Sequence, residues 1–165
     1  MRAVLAVLAV TLAACAQPPA ATEAAAPAPP ALTGTFEAMS NTATAITGNV
    51  DVQPDVLSFG KGFRIEGVRI DATLGPDTDL SAAGGTIADG SGNTSIQTIE
   101  LRRIDLVRVA ADAPDPHLCG GIAVTHVILA NGADALSVLV FSGEDAPGPN
   151  AHDTQLCGIF NYAHP

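Results

Sequence analysis

From residue 32 onward, apolar and polar side chains alternate in short runs separated by Gly, Asn, Asp and Pro. A period of two is the signature of strands with one buried face. Phe36 and Ala38 alternate with Thr35, Glu37 and Met39. Ile46, Gly48, Val50 and Val52 share a face opposite Thr47, Asn49 and Asp51. Leu57 and Phe59 flank Ser58, and Gly60-Lys61-Gly62 predicts a tight turn into Phe63 and Ile65, which alternate with Arg64 and Glu66. Gly67 then changes the phase, so that Val68, Ile70, Ala72 and Leu74 alternate with Arg69, Asp71 and Thr73. A one-residue slip at a glycine predicts a β-bulge, the bend that a barrel or a strongly coiled sandwich requires.

Residues 75–95 are polar and Gly-rich, which predicts a long, mobile loop. Residues 96–109 resume strand character, although Leu101, Ile104 and Arg108 also suit a helical face, making 94–111 the one helix rival. Ile122, Val124 and Ile128 share a face with His126. Leu136, Val138 and Val140 follow an Asn131-Gly132 turn signal, and Leu156, Phe160 and Tyr162 form a closing strand. The pattern predicts a single all-β domain over 32–165, a small antiparallel barrel or sandwich of about eight strands with no helix.

The first residues read differently. Arg2 precedes an apolar run over residues 3–12, of signal-peptide length and too short to span a bilayer as a helix. The run ends Leu12-Ala13-Ala14-Cys15, which resembles the lipobox of bacterial lipoproteins at all four positions. The resemblance implies removal of residues 1–14, a diacylglycerol on the Cys15 sulfur and an acyl chain on the new amino group. Two or more chains anchor a protein to the bilayer stably, at ~0.8 kcal/mol per buried methylene. Ala16, rather than Asp, follows the cysteine, which under the enterobacterial sorting pattern implies the outer membrane, facing the periplasm. The alternative is an ordinary signal peptide and a soluble periplasmic protein. Residues 16–31 contain eight Ala and five Pro in sixteen positions and read as a partly polyproline tether able to reach about 50 Å.

Charge then narrows the partners. Seven Lys+Arg against 17 Asp+Glu give a net charge of -10, the wrong sign for nucleic acid or for adsorption to anionic lipid headgroups. Six of the seven basic residues fall between Lys61 and Arg108: Lys61, Arg64, Arg69, Arg102, Arg103 and Arg108. Glu66, Asp71, Glu100 and Asp105 are interleaved among them, which favours cross-strand ion pairs over a patch for an anionic polysaccharide or lipid phosphate.

With Cys15 assigned to lipid, Cys119 and Cys157 remain, and in an oxidising envelope they are expected to form a disulfide. The rival is zinc held by those two cysteines with His117 and His152, but the spacings are not those of zinc knuckles. Asp89, Ser91, Asn93, Ser95 and Glu100 fall at calcium-loop positions, yet Thr94 replaces the required glycine, and a polar loop entering a strand is the plainer reading. No G-x-S-x-G or phosphate loop occurs, so no catalytic residue, metal or cofactor is assigned.

The architecture resembles that of disulfide-tied periplasmic lysozyme inhibitors and, through Gly34-Thr35-Phe36, of lipocalins. Ser91-Gly92 falls short of the inhibitors' loop motif and Phe36 replaces the lipocalin Trp, so no functional residue is carried over. The expectation is a non-enzymatic, membrane-anchored module that binds an envelope protein or polysaccharide. The alternatives are an inhibitor-like barrel, a purely structural envelope protein, or an enzyme in which His117, His126 or His152 meets a carboxylate only in three dimensions.

Overall fold

The computed structural model describes residues 30–165; the expected signal peptide, Cys15 and the expected tether up to residue 29 lie outside them. Eight antiparallel strands close into an up-and-down barrel in chain order. They are β1 (Gly34–Ala38), β2 (Val50–Val52), β3 (Val56–Phe59), β4 (Phe63–Ile70), β5 (Ile96–Val109), β6 (His126–Gly132), β7 (Ala135–Ser142) and β8 (Gln155–Ala163). Closure rests on two residue pairs between the ends of the domain, Glu37 with Ala163 and Ala38 with Tyr162. The 96–109 segment is the longest strand, not a helix.

Alternation puts one face of each strand inside. Phe36, Val50, Leu57, Phe59, Phe63, Ile65, Val127, Leu129, Val138, Phe160 and Tyr162 fill the barrel, and Phe59 stacks on Phe63 at 4.6 Å. The interior is therefore packed with side chains rather than hollow, as in other small eight-stranded barrels. The bulge falls where the phase change predicts it. Glu66 pairs with Leu106 and Gly67 with Ile104, leaving Asp105 as the extra residue on β5. A β-carbon at Gly67 would collide with the carbonyl oxygen of Arg103, so only glycine permits this approach.

Several expectations are corrected. Residues 75–95 are docked on the outside of the barrel instead of standing free. Leu80 and Ile87 are buried there against Leu101, Ile128, Ala130, Leu139 and Phe141, making a second apolar cluster. Within this segment Ile87–Ser91 forms a short helix, α1, whose Thr86 and Asp89 build a reciprocal capping box. A single π-helical turn, Ala43–Thr47, replaces the first part of the expected second strand, leaving Ile46 exposed and Thr47 buried. Its Thr47 hydroxyl meets the Tyr162 hydroxyl at 2.7 Å. The β6–β7 turn lies at Ala133-Asp134 rather than Asn131-Gly132. Gly132 stays in the strand, where a β-carbon would collide with the Asn93 side chain and the Ser95 carbonyl oxygen.

Cys119 and Cys157 are disulfide-bonded, 38 residues apart, with Cα atoms 4.9 Å apart. The bond ties the 110–125 connection to β8 at the end of the barrel opposite residue 32.

Candidate functional site: the cleft beside β5

The site arises from a mismatch in strand length. β6 begins at His126, opposite Arg103 of β5, and Ile104 N–H reaches one residue further back to the Thr125 carbonyl (2.7 Å). Beyond the bulged Asp105, residues 106–109 of β5 therefore pair with β4 alone. The 110–125 connection fills the place that more of β6 would take, and Leu118, Cys119 and Val124 pack on the barrel core. Its path is set by local chemistry. The Asp115 carboxylate accepts from His117 N–H (2.9 Å), His117 adopts φ 44, and Gly120 (φ 63) and Gly121 (φ 93) turn the chain back.

Between this connection and β5 lies an open cleft of about 420 Å³. Leu106, Val107, Val109, Leu118, Ile122 and Val124 form its apolar wall. Asp105, Asp115 and His117 stand at its polar positions, and no Lys or Arg lines it. Among the described residues Ile122, 62% exposed, is the most exposed large hydrophobic side chain, ahead of Met39 at 57%. It also borders a second cavity beside Arg103, Thr125, His126 and Glu144, so it stands as a ridge between two depressions. Leu106, Val109 and Ile122 are the exposed members of this wall, and an exposed apolar patch rimmed by polar residues marks an interaction site.

The candidate histidines do not converge. His117 Nδ1 lies 3.6 Å from Asp115, both well exposed on one turn. The cleft lining contains no Ser, Thr, Cys, Tyr or Lys that this pair could activate. His126 is buried, with Nδ1 3.1 Å from the Thr125 hydroxyl. Burial first, and the nearby Arg103 charge second, hold its pKa below the usual 6.5. His152 lies exposed in a separate loop, where its N–H donates to Asp145. The Asp145 pKa is lowered by the backbone donors Asp153 and His152. Among the described residues no three His, Cys, Asp or Glu side chains gather as a metal site, and the two cysteines are engaged with each other. The calcium-like residues are dispersed: Asp89 caps α1, Asn93 accepts from Ser95 N–H, and Glu100 points into the barrel.

Arg64, Arg102, Arg103 and Arg108 stand in ion pairs; only Arg108–Glu66 crosses between strands as expected, the other pairs lying along one strand. Arg64 and Arg108, opposite each other on β4 and β5, share Glu66 Oε1 at 2.7 and 3.1 Å. Arg103 faces Asp105 at 3.7 Å. One pair is internal, which the sequence reading missed. Arg102 (1% exposed) donates through Nε to Glu100 (6% exposed) at 2.6 Å and through Nη1 to the Gln53 carbonyl at 2.7 Å. The other Glu100 oxygen accepts from Leu32 N–H at 2.9 Å, so the entering chain is fastened at the barrel mouth. The signal was present: Glu100 and Arg102 share a phase with Ile104, whose side chain faces inward. A mouth cavity of about 420 Å³ lies beside this pair, lined by Leu32, Arg69, Glu100, Leu129 and Asn131 among others.

No protein-family model matches the chain, and neither a curated protein nor a solved structure matches it.

Proposed function

We propose that the protein is a lipid-anchored module of the bacterial cell envelope that acts by binding, tethered through acylated Cys15 and residues 16–31 to the outer membrane on its periplasmic side. The observation that carries the binding assignment is the cleft around Ile122. It is apolar, rimmed by a disulfide-braced loop, open to solvent and without a nucleophile. An enzyme of the histidine type needs its base within reach of a nucleophile or a bound water held by a second group. No nucleophilic side chain lines the cleft beside the His117–Asp115 pair. An envelope protein is the partner class favoured over a polysaccharide, because the cleft wall is aliphatic and sugar recognition uses aromatic platforms and dense hydrogen bonding.

Two measurements test this. Globomycin-type inhibition of the lipoprotein signal peptidase, or Cys15→Ala, leaves an unprocessed precursor; a soluble mature protein of normal size refutes the anchor. Recovery of a partner from envelope extract is lost with Ile122→Asp and kept with His117→Ala, His126→Ala and His152→Ala. Turnover of a substrate that any of those three histidine changes abolishes, with folding intact, refutes binding as the activity.

A further inference from the structure

The cleft presents backbone as well as side chains. Ala110 N–H donates to the Gly62 carbonyl (2.8 Å), and the register places Arg108 opposite Arg64 and Leu106 opposite Glu66. In an antiparallel ladder the bonding direction alternates residue by residue. Leu106, Arg108 and Ala110 therefore turn their N–H and C=O groups toward β4, and Val107 and Val109 turn theirs the other way, to the side where β6 is missing. Among the described residues no hydrogen bond reaches the backbone of Val107 or Val109 from the 110–125 connection. That connection stands off from β5 and leaves the cleft open between them. A barrel normally abolishes edges, and an exposed edge invites another strand. Here residues 105–109 form an edge about 13 Å long inside a closed barrel.

We propose that this edge takes an extended segment of a partner protein as an added antiparallel or parallel strand. The segment alternates aliphatic residues, which meet Leu118, Ile122 and Val124, with basic residues, which meet Asp105 and Asp115. Backbone pairing supplies affinity and alternate side chains supply selectivity, as in other strand-addition complexes. The sign of the partner follows from the cleft: two carboxylates and no Lys or Arg line it, Arg108 on the edge itself is engaged by Glu66 at 3.1 Å, and the chain carries a net charge of -10. Two copies of this chain would bring like-charged walls together, so a different, basic segment is the occupant. This inference rests on the binding reading above and adds the mode and the partner's chemistry.

The test uses the isotope-labelled full chain in non-ionic detergent and a synthetic peptide of alternating valine and lysine. At saturating peptide, amide exchange at Val107 and Val109 slows tenfold or more. Leu106 and Arg108, already bonded to β4, do not change. Combined Asp105→Asn and Asp115→Asn weakens peptide binding about tenfold, roughly threefold per exposed carboxylate. Unchanged exchange at Val107 and Val109 in millimolar peptide overturns the proposal. So does equal protection by a peptide whose edge-facing amides are N-methylated. Protection that grows with protein concentration in the absence of peptide also overturns it, in favour of a second copy. If these arms fail while Ile122→Asp still abolishes partner recovery, strand addition alone is wrong and the binding reading stands.

Discussion

Arg102 and Glu100 form a buried ion pair whose energetics can be dissected by a double-mutant cycle. Arg102→Met leaves Glu100, 6% exposed, with a single donor, Leu32 N–H at 2.9 Å, in place of two. Glu100→Leu leaves the guanidinium, 1% exposed, with only the Gln53 carbonyl. Stranding one charge of a buried pair costs about 3–5 kcal/mol. That is a large share of the 5–15 kcal/mol by which ordinary domains are stable. The double variant Glu100→Leu/Arg102→Met removes both charges. It also removes Arg102 Nη2, which is buried and has no hydrogen-bond partner. An unpaired buried donor of this kind costs about 1–3 kcal/mol. Arg69 stands directly across the β4–β5 ladder from Arg102, and opposed like charges in a sheet are unfavourable. The double variant is therefore expected within about 1 kcal/mol of the parent, even though each single variant is strongly destabilised. Urea unfolding followed by far-ultraviolet circular dichroism measures all four corners of the cycle. Either single variant within about 1 kcal/mol of the parent, or a double variant as unstable as the sum of the singles, refutes the reasoning.

Other expectations follow from the same structure. Replacing Cys119 and Cys157 together by Ala lowers unfolding stability by about 4 kcal/mol, the loop-closure value for 38 residues; a loss under about 1 kcal/mol in urea titration contradicts it. For His126, whose folded pKa lies below 6.5, the unfolded chain binds the proton first as pH falls. Its contribution is full above pH 6.5 and is lost as pH drops through the lowered folded value. His126→Gln removes that acid dependence, and parallel stability-pH curves for the two proteins would show the assignment to be wrong. Tyr162 is the one tyrosine, and burial raises its pKa well above the usual 10 against the opposing Thr47 hydrogen bond. Stability should fall as pH rises past 10, with phenolate absorbance appearing only as the barrel unfolds; a reversible titration near 10 in the folded state counts against it.

Strands with an uninterrupted period of two were legible in the sequence, because one buried face leaves a repeating record. Phe63, Ile65, Leu136, Val138 and Val140 all point inward as their spacing requires. The slip at Gly67 was legible for the same reason. Barrel and sandwich were not distinguishable, since closure depends on the Glu37–Ala163 and Ala38–Tyr162 pairs, 126 and 124 positions apart, which no local pattern encodes. Residues 75–95 misled because their apolar content is reduced to a few side chains. Leu80 and Ile87 suffice to dock the segment when the outer face of β5, β6 and β7 is itself apolar. Buried Glu100 and Arg102 obey the inward phase, but interleaved opposite charges on a strand ordinarily mean a solvated face. The cleft was the least legible feature. It depends on where β6 stops relative to β5, and that boundary is set by the disulfide and the turns at His117, Gly120 and Gly121 rather than by a hydrophobic period.

Position in the barrel connects the cleft to the proposed anchor. Residue 32 enters at the end where β5 begins, and its N–H is fixed to Glu100. The free edge lies at the other end of the same strand, from Asp105 to Val109, about 15–30 Å away along β5 at ~3.3 Å per residue. A chain tethered through its N-terminal segment would therefore hold the barrel mouth toward the bilayer and the cleft toward the periplasm. If residues 16–31 extend as their Ala- and Pro-rich composition predicts, they add up to about 50 Å of reach, and the edge then meets a partner strand well clear of the headgroups. Shortening the tether should then weaken capture of a membrane-distant partner while leaving peptide affinity at β5 unchanged. Equal loss of both would mean that residues 16–31 belong to the binding surface itself rather than to the spacer.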